Sequence, residues 1–231
     1  MAALIAPAKL TLSLSITGVR TDGYHLIDAE MVSLGLADTL EIEPGEGITI
    51  VGAGDIDLAD NLITRALRLV GRTARVTVRK QIPTGAGLGG GSADAAAILR
   101  WAGYSDVQGA AQLGADVPFC LVGGRARVQG IGELVQPLEH VSRTLTLLIP
   151  PFGCSTPAVY RRWDDMGGPE GNSGNDLEPA ALEVEPRLDQ YRRKLEEATG
   201  QTARLAGSGS TWFVEGAYPG DDRIVVRTVP A

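Results

Sequence analysis

Apolar and polar residues alternate along residues 4–16, which is the spacing of a β-strand with one buried face. The even-numbered positions from Leu10 to Ile16 are all apolar and share that face. Lys9 falls on the opposite face, although its sequence neighbours are mostly apolar. The pattern therefore predicts a first strand that carries one lysine in a largely apolar setting.

Later segments show both periods, and together they predict an α+β fold. Alternation predicts strands at residues 29–36, 39–43, 48–51, 75–82, 145–149 and 223–229, and a hairpin over 125–138. Spacings of three and four predict helices at residues 61–70, 92–101 and 187–199. Residues 166–175 are rich in Gly, Pro, Asn and Ser, and they are the best candidate for a mobile loop.

A soft boundary lies near residues 137–142, where the chain leaves the predicted hairpin. It divides the sequence into an N-terminal domain, residues 1–138, and a C-terminal domain, residues 139–231. A chain of 231 residues is long enough to bury the core of either one large or two small domains.

A glycine-rich run, Pro83-Thr84-Gly85-Ala86-Gly87-Leu88-Gly89-Gly90-Gly91-Ser92, joins a predicted strand to a predicted helix. Glycines let the backbone approach an anion closely, and the helix that follows offers unpaired N–H groups. The P-loop pattern is excluded, because none of the three lysines follows a glycine. A single G-x-G-x-x-G match is weak evidence for a dinucleotide-binding site. The simplest alternative to a phosphate-binding loop is a flexible surface loop. A kinase loop that holds phosphates with backbone amides suits the run best.

Composition narrows the function classes. The net charge is −7, which argues against nucleic-acid binding, because that function needs a clustered basic surface. Cys120 and Cys154 fit no metal or redox spacing and are expected to be reduced thiols. No apolar run is long enough to span a membrane, and a cytoplasmic location is expected.

Six motifs occur in an order that is informative as a set. They are Pro7-Ala8-Lys9-Leu10, Asp22-Gly23-Tyr24-His25, Asp60-Asn61-Leu62-Ile63, the glycine run, Gly114-Ala115-Asp116-Val117-Pro118-Phe119 and Ala206-Gly207-Ser208-Gly209-Ser210. The set resembles the GHMP kinase superfamily, closely over residues 5–160 and again over 205–215. Within it, the chain is most similar to members whose substrate carries a cytidine diphosphate group.

This resemblance implies a two-domain GHMP kinase fold, with an N-terminal half like domain 2 of ribosomal protein S5 and a shortened ferredoxin-like C-terminal half. It also implies phosphorylation of an alcohol with ATP and Mg²⁺, by a monomer or homodimer that binds no nucleic acid. The alternatives are a GHMP kinase for another alcohol, mevalonate- or homoserine-like, or a non-catalytic nucleotide-binding relative.

Lys9 and Asp116 are the expected catalytic pair. A carboxylate between the small Gly114-Ala115 and the rigid Pro118 can project into a cleft as a general base. The lysine could keep it ionised and stabilise charge on the attacking oxygen. The superfamily assigns these roles to the matching positions, and a structural ion pair is the plainer reading.

The resemblance also implies two sets of binding residues. The expected ATP contacts are Asn61, Leu62, Pro83, Gly85, Ala86, Gly87, Leu88, Gly89, Gly90, Gly91, Ser92 and Ala93. The expected substrate contacts are Thr11, Tyr24, His25, Asp116, Thr156, Tyr160, Gly207 and Ser208. Ser92 could instead be a helix N-cap or help to hold Mg²⁺, and Asn61 could simply cap the helix at 62–70.

Tyr24 and Tyr160 are expected on opposite sides of the cytosine ring, and His25 at its edge. Three features depart from the superfamily pattern: Thr11 replaces an asparagine, Ala86 stands where glycine is common, and the C-terminal half is short. These departures concern the identity of the acceptor alcohol more than the kinase chemistry.

Overall fold

The structure, a computed structural model, describes residues 2–52 and 61–231 and confirms a mixed fold of strands and helices. The strands are β1 (Ala2–Val19), β2 (His25–Glu43), β3 (Gly47–Val51), β4 (Arg75–Arg79), β5 (Arg125–Gly130), β6 (Leu134–Leu138), β7 (Thr144–Leu148), β8 (Arg204–Leu205), β9 (Trp212–Glu215) and β10 (Arg223–Val229). The helices are α1 (Leu62–Leu69), α2 (Gly90–Trp101), α3 (Val117–Val122), α4 (Thr156–Asp165), α5 (Glu178–Val184) and α6 (Leu188–Thr199). A 3₁₀ turn at Gly109–Gln112 precedes α3.

The strands form one continuous hydrogen-bonded path in the order β3-β4-β2-β10-β7-β9-β8. The N-terminal strand β1 pairs antiparallel with β2 along almost its full length, and β5 pairs with β2 and β6. The last strand, β10, joins the two halves, because it pairs with β2 on one side and with β7 on the other. The predicted domain boundary between residues 138 and 139 therefore falls between β6 and β7 and stays a prediction.

The two predicted strands at residues 29–36 and 39–43 are a single strand in the structure. Gly35 and Asp38 interrupt the apolar pattern, but β2 continues through both of them. Asp38 is fully buried and bonded to Lys80. Both residues are thus part of a continuous strand that the pattern alone divides.

Helix α2 positions the glycine run, because the helix begins inside it. Its core face is built from alanines, which let the helix lie close to β1 and β2. The fully buried members of this face are Ala93, Ala95, Ala96, Ala97, Ile98 and Leu99. Burial of apolar surface contributes about 25 cal/mol per Å² to the free energy of folding. The packing of this face therefore stabilises the position of the helix and supports the turn that precedes it.

Two helices, α4 and α5, were not predicted from the pattern. α4 is polar on most of its surface and buries only Val159, so its helical period is weak. A third helix that the pattern did not predict, α3, begins within the motif at residues 114–119; it is short and almost wholly buried. In residues 2–52 and 61–231, no helix is both long and apolar enough to cross a membrane. Cys120 and Cys154 are both free thiols.

The loop over residues 166–175 is anchored at several points, contrary to the expectation of a mobile segment. The indole N–H of Trp163 donates to the carbonyl of Pro169 at 2.9 Å. At the far end, Asn175 is buried, and its amide nitrogen donates to the carbonyls of Leu205 and Gly207 at 2.9 and 2.7 Å. Its side-chain oxygen accepts from the N–H of Leu177 at 3.0 Å. Asn175 therefore ties this loop to the second glycine turn, residues 206–210.

A buried ionic cluster, formed by Asp38, Lys80 and Asp94, lies beneath the glycine run. The Lys80 ammonium donates to Asp38 Oδ2 at 2.5 Å and to Asp94 Oδ2 at 2.8 Å. Asp38 Oδ1 also accepts from the N–H groups of Gln81 and Ile82, at 2.5 and 2.9 Å. Burial, with Asp38 close by, raises the pKa of Asp94 to about 7, although the Lys80 ammonium acts in the opposite direction. Because two carboxylates share one ammonium group, the carboxyl with fewer donors keeps a proton more readily.

We expect Asn175→Ala to destabilise the protein, because it leaves three buried backbone groups without their partner. Each buried group left unsatisfied costs about 1–3 kcal/mol, so the free energy of unfolding should fall by at least that amount. Denaturant titration measures the loss. Asn172→Ala, at an exposed position of the same loop, is the matched control and should change stability by less than about 0.5 kcal/mol. Equal stability of the two variants would contradict the anchoring role.

We expect Asp94→Asn to remove a pH dependence of stability. The folded protein holds the Asp94 proton up to about pH 7, whereas the unfolded chain releases it near 3.8. Since the folded state binds more protons in this window, the wild-type free energy of unfolding falls as pH rises through it. The stability of the variant relative to wild type should therefore grow from about pH 4 to about pH 7 and then level off. Denaturant titrations across that window measure this, and a constant difference would be the contrary result.

Candidate active site

The glycine run alternates between residues that need an unusual backbone and residues that anchor it. Gly85, Gly87 and Gly89 have φ of 75°, 77° and 67°, a left-handed conformation that favours glycine. Between them, Ala86 and Leu88 are buried at 3% and 1% exposure. The side chains of the even positions therefore fix the loop to the core, while the backbone of the odd positions is left facing the cavities.

Backbone contacts hold the loop from both halves of the chain. The carbonyl of Ala86 accepts from the N–H and the hydroxyl of Thr211, at 3.2 and 2.7 Å. The carbonyl of Leu88 accepts from the N–H of Lys9 at 3.0 Å. These bonds place the loop between β1 and the chain that leads into β9.

The second glycine turn lies directly against the first. A side-chain carbon at Gly87 would overlap the carbonyl oxygen of Gly209, so the two turns can approach this closely only with glycine at position 87. The hydroxyls of Thr156 and Ser208 are 2.7 Å apart, which joins the start of α4 to this turn. The turns and the helix start thus form one packed unit around the site.

The smaller of two adjoining cavities, about 390 Å³, lies on one side of the glycine run. Its lining contains most of the predicted ATP contacts: Asn61, Leu62, Pro83, Gly85, Ala86, Gly87, Leu88, Gly89, Gly90 and Gly91. Asn61 caps α1, because its side-chain oxygen accepts from the N–H of Thr64 at 2.9 Å. Its amide nitrogen is buried without a hydrogen-bond partner among the described residues. Capping therefore uses one end of this side chain and leaves a donor at the cavity.

Two of the predicted ATP contacts lie elsewhere. Ala93 lines neither cavity: its side chain is buried at 1% exposure, and its N–H donates to the carbonyl of Gly89 at 2.8 Å. Ser92 lines the larger cavity instead. Ser92 as an N-cap is wrong, because Gly89 occupies that position and α2 begins at Gly90. Asp60 of the predicted motif lies outside the described residues.

The larger cavity, about 760 Å³, lies on the other side of the run, and Gly87 and Gly89 line both cavities. All of the predicted substrate contacts line it: Thr11, Tyr24, His25, Asp116, Thr156, Tyr160, Gly207 and Ser208. The structure therefore brings together residues from β1, the β1–β2 turn, the start of α3, α4 and the second glycine turn. Their individual roles stay predictions.

Lys9 and Asp116 meet where the two cavities adjoin. Lys9 Nζ lies 3.4 Å from Asp116 Oδ2 and donates to Thr11 Oγ1 at 3.2 Å. Lys9 is 6% exposed, whereas the Asp116 side chain is 32% exposed. A side-chain carbon at Gly89 would lie 2.7 Å from Lys9 Cγ, so the lysine stem runs directly beneath the glycine run. The pair thus combines a buried ammonium with an accessible carboxylate.

Asp116 stands at the N-terminus of α3 but makes no capping hydrogen bond with its side chain. The carboxylate is therefore not used by the helix and remains free toward the cavity. Burial, assisted by the negative charge of Asp116, raises the pKa of the Tyr160 hydroxyl to about 12. Tyr160 is consequently neutral at physiological pH, and its hydroxyl faces the same cavity as the carboxylate.

An aromatic cluster forms the wall opposite Lys9. His25 Nε2 lies 2.8 Å from Asp164 Oδ1, so the ring nitrogen donates to the carboxylate. The His25 ring packs on Tyr160 and Trp163, with ring centroids 4.7 and 5.6 Å away. Tyr24 is 59% exposed at the rim. The cluster therefore presents to a planar ligand a histidine ring that is fixed by its neighbours and a tyrosine ring that is exposed at the rim.

Sequence patterns did not reveal Arg161 and Asp164, which also line the larger cavity. With Pro157 and Tyr160 they occupy one face of α4 at spacings of three and four. The signal was present, but it is visible only once the segment is known to be helical. The partnership of Asp164 with His25 spans 139 residues and has no local signature.

Comparison with known proteins identifies the family. Residues 61–124 match the model of the GHMP kinases N terminal domain. A 4-diphosphocytidyl-2-C-methyl-D-erythritol kinase from Paracoccus denitrificans is 42% identical over 90% of this chain and 84% of its own length. A crystal structure of 4-(cytidine 5'-diphospho)-2C-methyl-D-erythritol kinase covers the whole of both chains, with a TM-score of 0.80 and 30% identity.

Similarity of shape extends beyond this group. A mevalonate kinase structure covers both chains fully with a TM-score of 0.63, but only 12% of residues are identical, so it shows a common fold alone. The predicted two-domain GHMP kinase fold is confirmed by these neighbours. The chain belongs to the 4-diphosphocytidyl-2-C-methyl-D-erythritol kinase family of the GHMP kinases, which are ATP-dependent phosphotransferases acting on an alcohol.

Proposed function

We propose that this chain transfers the γ-phosphoryl group of ATP to the 2-hydroxyl of 4-diphosphocytidyl-2-C-methyl-D-erythritol, a step of non-mevalonate isoprenoid biosynthesis in the cytoplasm. The observation that carries the proposal is the Lys9–Asp116 pair, 3.4 Å apart, between a cavity lined by the glycine run and a cavity lined by aromatic residues. Family membership supports the reaction and the substrate.

In this proposal Asp116 is the general base. Its exposed carboxylate accepts the proton of the substrate hydroxyl as the oxygen attacks phosphorus. Lys9 stabilises the negative charge that develops on the attacking oxygen. Because the ammonium is buried, its charge is poorly screened and acts strongly over this short distance.

Thr11 takes the place of the superfamily's asparagine without leaving Lys9 unsupported. Its hydroxyl oxygen accepts from the ammonium, and its own hydrogen remains free to donate to the substrate. Thr11 is thus proposed to orient the lysine and to contact the acceptor alcohol, together with Thr156, Gly207 and Ser208, which line the same cavity.

The glycine run and Asn61 are proposed to bind ATP. Backbone N–H groups at the start of α2 donate to the phosphates, where the helix dipole also favours negative charge. When bound, Mg²⁺ supplies charge neutralisation on the phosphate oxygens. Among residues 2–52 and 61–231, no group of three or more acidic, histidine or cysteine side chains could hold a metal. In this proposal the Mg²⁺ ion is held chiefly by the phosphates of ATP, and Ser92 is the candidate protein ligand.

His25, Tyr24 and Tyr160 are proposed to bind the cytosine. Stacking of an aromatic side chain on a base contributes about 1–3 kcal/mol.

The most direct test of the function is ATP consumption with a panel of alcohols, each with and without a cytidine diphosphate group. Activity restricted to the cytidine-bearing alcohol is expected, and equal activity with mevalonate or homoserine would point to another acceptor.

We expect Asp116→Asn to lower kcat about 10²–10⁴-fold, because the amide cannot accept the hydroxyl proton. ATP affinity should be unchanged, since Asp116 does not line the smaller cavity. Steady-state kinetics and equilibrium ATP binding measure the two effects. Asp221→Asn, an exposed aspartate in the turn before β10, is the control. A variant with wild-type turnover would exclude Asp116 as the base.

We expect Tyr24→Ala to raise the KM for the cytidine substrate about fivefold to 100-fold, the range that corresponds to loss of one stacking contact. The KM for ATP should not change, because Tyr24 lines only the larger cavity. Tyr24→Phe keeps the ring and should behave like wild type. If Phe and Ala weaken substrate binding equally, the hydroxyl rather than the ring makes the contact.

A further inference from the structure

The ionic cluster of Asp38, Lys80 and Asp94 connects the two ends of the glycine run. Lys80 directly follows β4, three residues before Pro83, and Asp94 lies in the second turn of α2. The side chains of Asp38, Lys80 and Asp94 are 0%, 7% and 5% exposed. One buried ammonium group therefore joins the segment that leads into residues 83–91 to the helix that leads out of them.

Asp38 fixes the incoming segment independently of Lys80. Its Oδ1 accepts from two consecutive N–H groups, those of Gln81 and Ile82, while its Oδ2 accepts from the ammonium. Both oxygens of Asp38 are thus satisfied, and this carboxylate secures the chain to β2. The outgoing segment is connected to the same point through the contact of Lys80 with Asp94.

A charged Asp94 at this position lowers the stability of the folded protein. Above about pH 7, where Asp94 is ionised, two buried carboxylates face one ammonium group, and a buried charge without its own counter-ion is destabilising. Asp94 Oδ1 is buried and has no hydrogen-bond partner among the described residues. An asparagine would leave one carboxylate with one ammonium, a balanced pair. The charge on Asp94 therefore serves something other than the stability of the core.

The cluster lies against the cavity assigned to the nucleotide. Lys80 and Asp94 both line the smaller cavity. A side-chain carbon at Gly90 would lie 3.1 Å from Lys80 Nζ, so the ammonium packs directly against the backbone where the loop becomes helix. A change in the Lys80–Asp94 contact is thus transmitted to the first amides of α2 without an intervening side chain.

We propose that Lys80 and Asp94 are positioning residues for ATP: their ion pair holds the ends of the glycine run at the separation at which its amides fit the phosphates. The inference rests on the proposed function, since it takes the run to be the ATP loop. A loop whose ends are held in place loses less conformational freedom when a ligand orders it, and this strengthens binding.

The test is Asp94→Asn assayed at about pH 8, where wild-type Asp94 is ionised; the variant keeps the shape of the side chain, removes its charge and leaves Asp38 and Lys80 as a balanced pair. We expect the Kd and KM for ATP to rise about tenfold, the change produced by about 1.4 kcal/mol. The KM for the cytidine substrate should change by less than about twofold, and the Tm should be equal to or above that of wild type. Asp94→Glu, which restores the charge, should recover part of the ATP affinity.

The matched control is Glu41→Gln. Glu41 on β2 pairs with Arg79 on β4 at 3.4 Å, but this pair is exposed and lines neither cavity. It should leave both KM values unchanged.

Direct ATP binding without acceptor separates the possible failures. If wild type does not bind ATP, the proposed function fails. If wild type binds ATP and Asp94→Asn binds it equally well, the positioning role is overturned. A lower Tm with equal weakening of both substrates would show a merely structural role and would also overturn it.

Discussion

The buried ammonium group of Lys9 is the point on which the site depends. The backbone N–H of Lys9 donates to the carbonyl of Leu88 in the glycine run, and the side-chain stem passes beneath Gly89. The ammonium group pairs with Asp116 and donates to Thr11. These contacts come from three separate parts of the chain. The lysine can hold them only because β1 is paired with β2 along almost its whole length, which keeps its backbone from shifting.

Charge in this protein is arranged locally rather than globally. The chain carries a net charge of −7, yet the family it belongs to binds a polyanionic nucleotide. Backbone N–H groups supply much of the complementary potential, because the glycine run leaves them unhindered at the start of α2. Of the cationic side chains around the two cavities, Lys80 is neutralised by its own carboxylates, while Lys9 faces a single accessible one. Lys9 thus has fewer carboxylates around it than Lys80, and Arg161 adds a further positive charge on the wall of the larger cavity.

Much of the fold was accessible from the sequence because its signals are local. The glycine run, the first strand and the helix after the run each have a pattern within about twenty residues, and all three appear near the expected bounds. The position of Lys9 opposite Asp116 also followed from matching motifs, and the two side chains do meet. Their chemical roles, by contrast, remain to be measured.

What escaped prediction depends on contacts between distant parts of the chain. Asp38 interrupts the apolar pattern, so the pattern predicts two strands where the structure has one. Its partner Lys80 is 42 residues away and cannot be identified from the local sequence. The loop at residues 166–175 has a flexible composition, but Asn175 secures it to carbonyls that are 30 and 32 residues further on. Helix α4 has a weak apolar face because that face lines a cavity instead of a core. In each case tertiary partners override the local preference.

The close approach of Gly87 to Gly209 has a consequence for how such proteins can be recombined. The first turn belongs to the N-terminal half and the second to the C-terminal half, yet the backbone of the second turn leaves no room for a side chain at Gly87. A chimera that joins the front of one relative to the back of another would have to keep a glycine at this position and a second turn whose backbone fits against it. A recombination point at the midpoint of the chain would therefore separate two turns that have to fit each other.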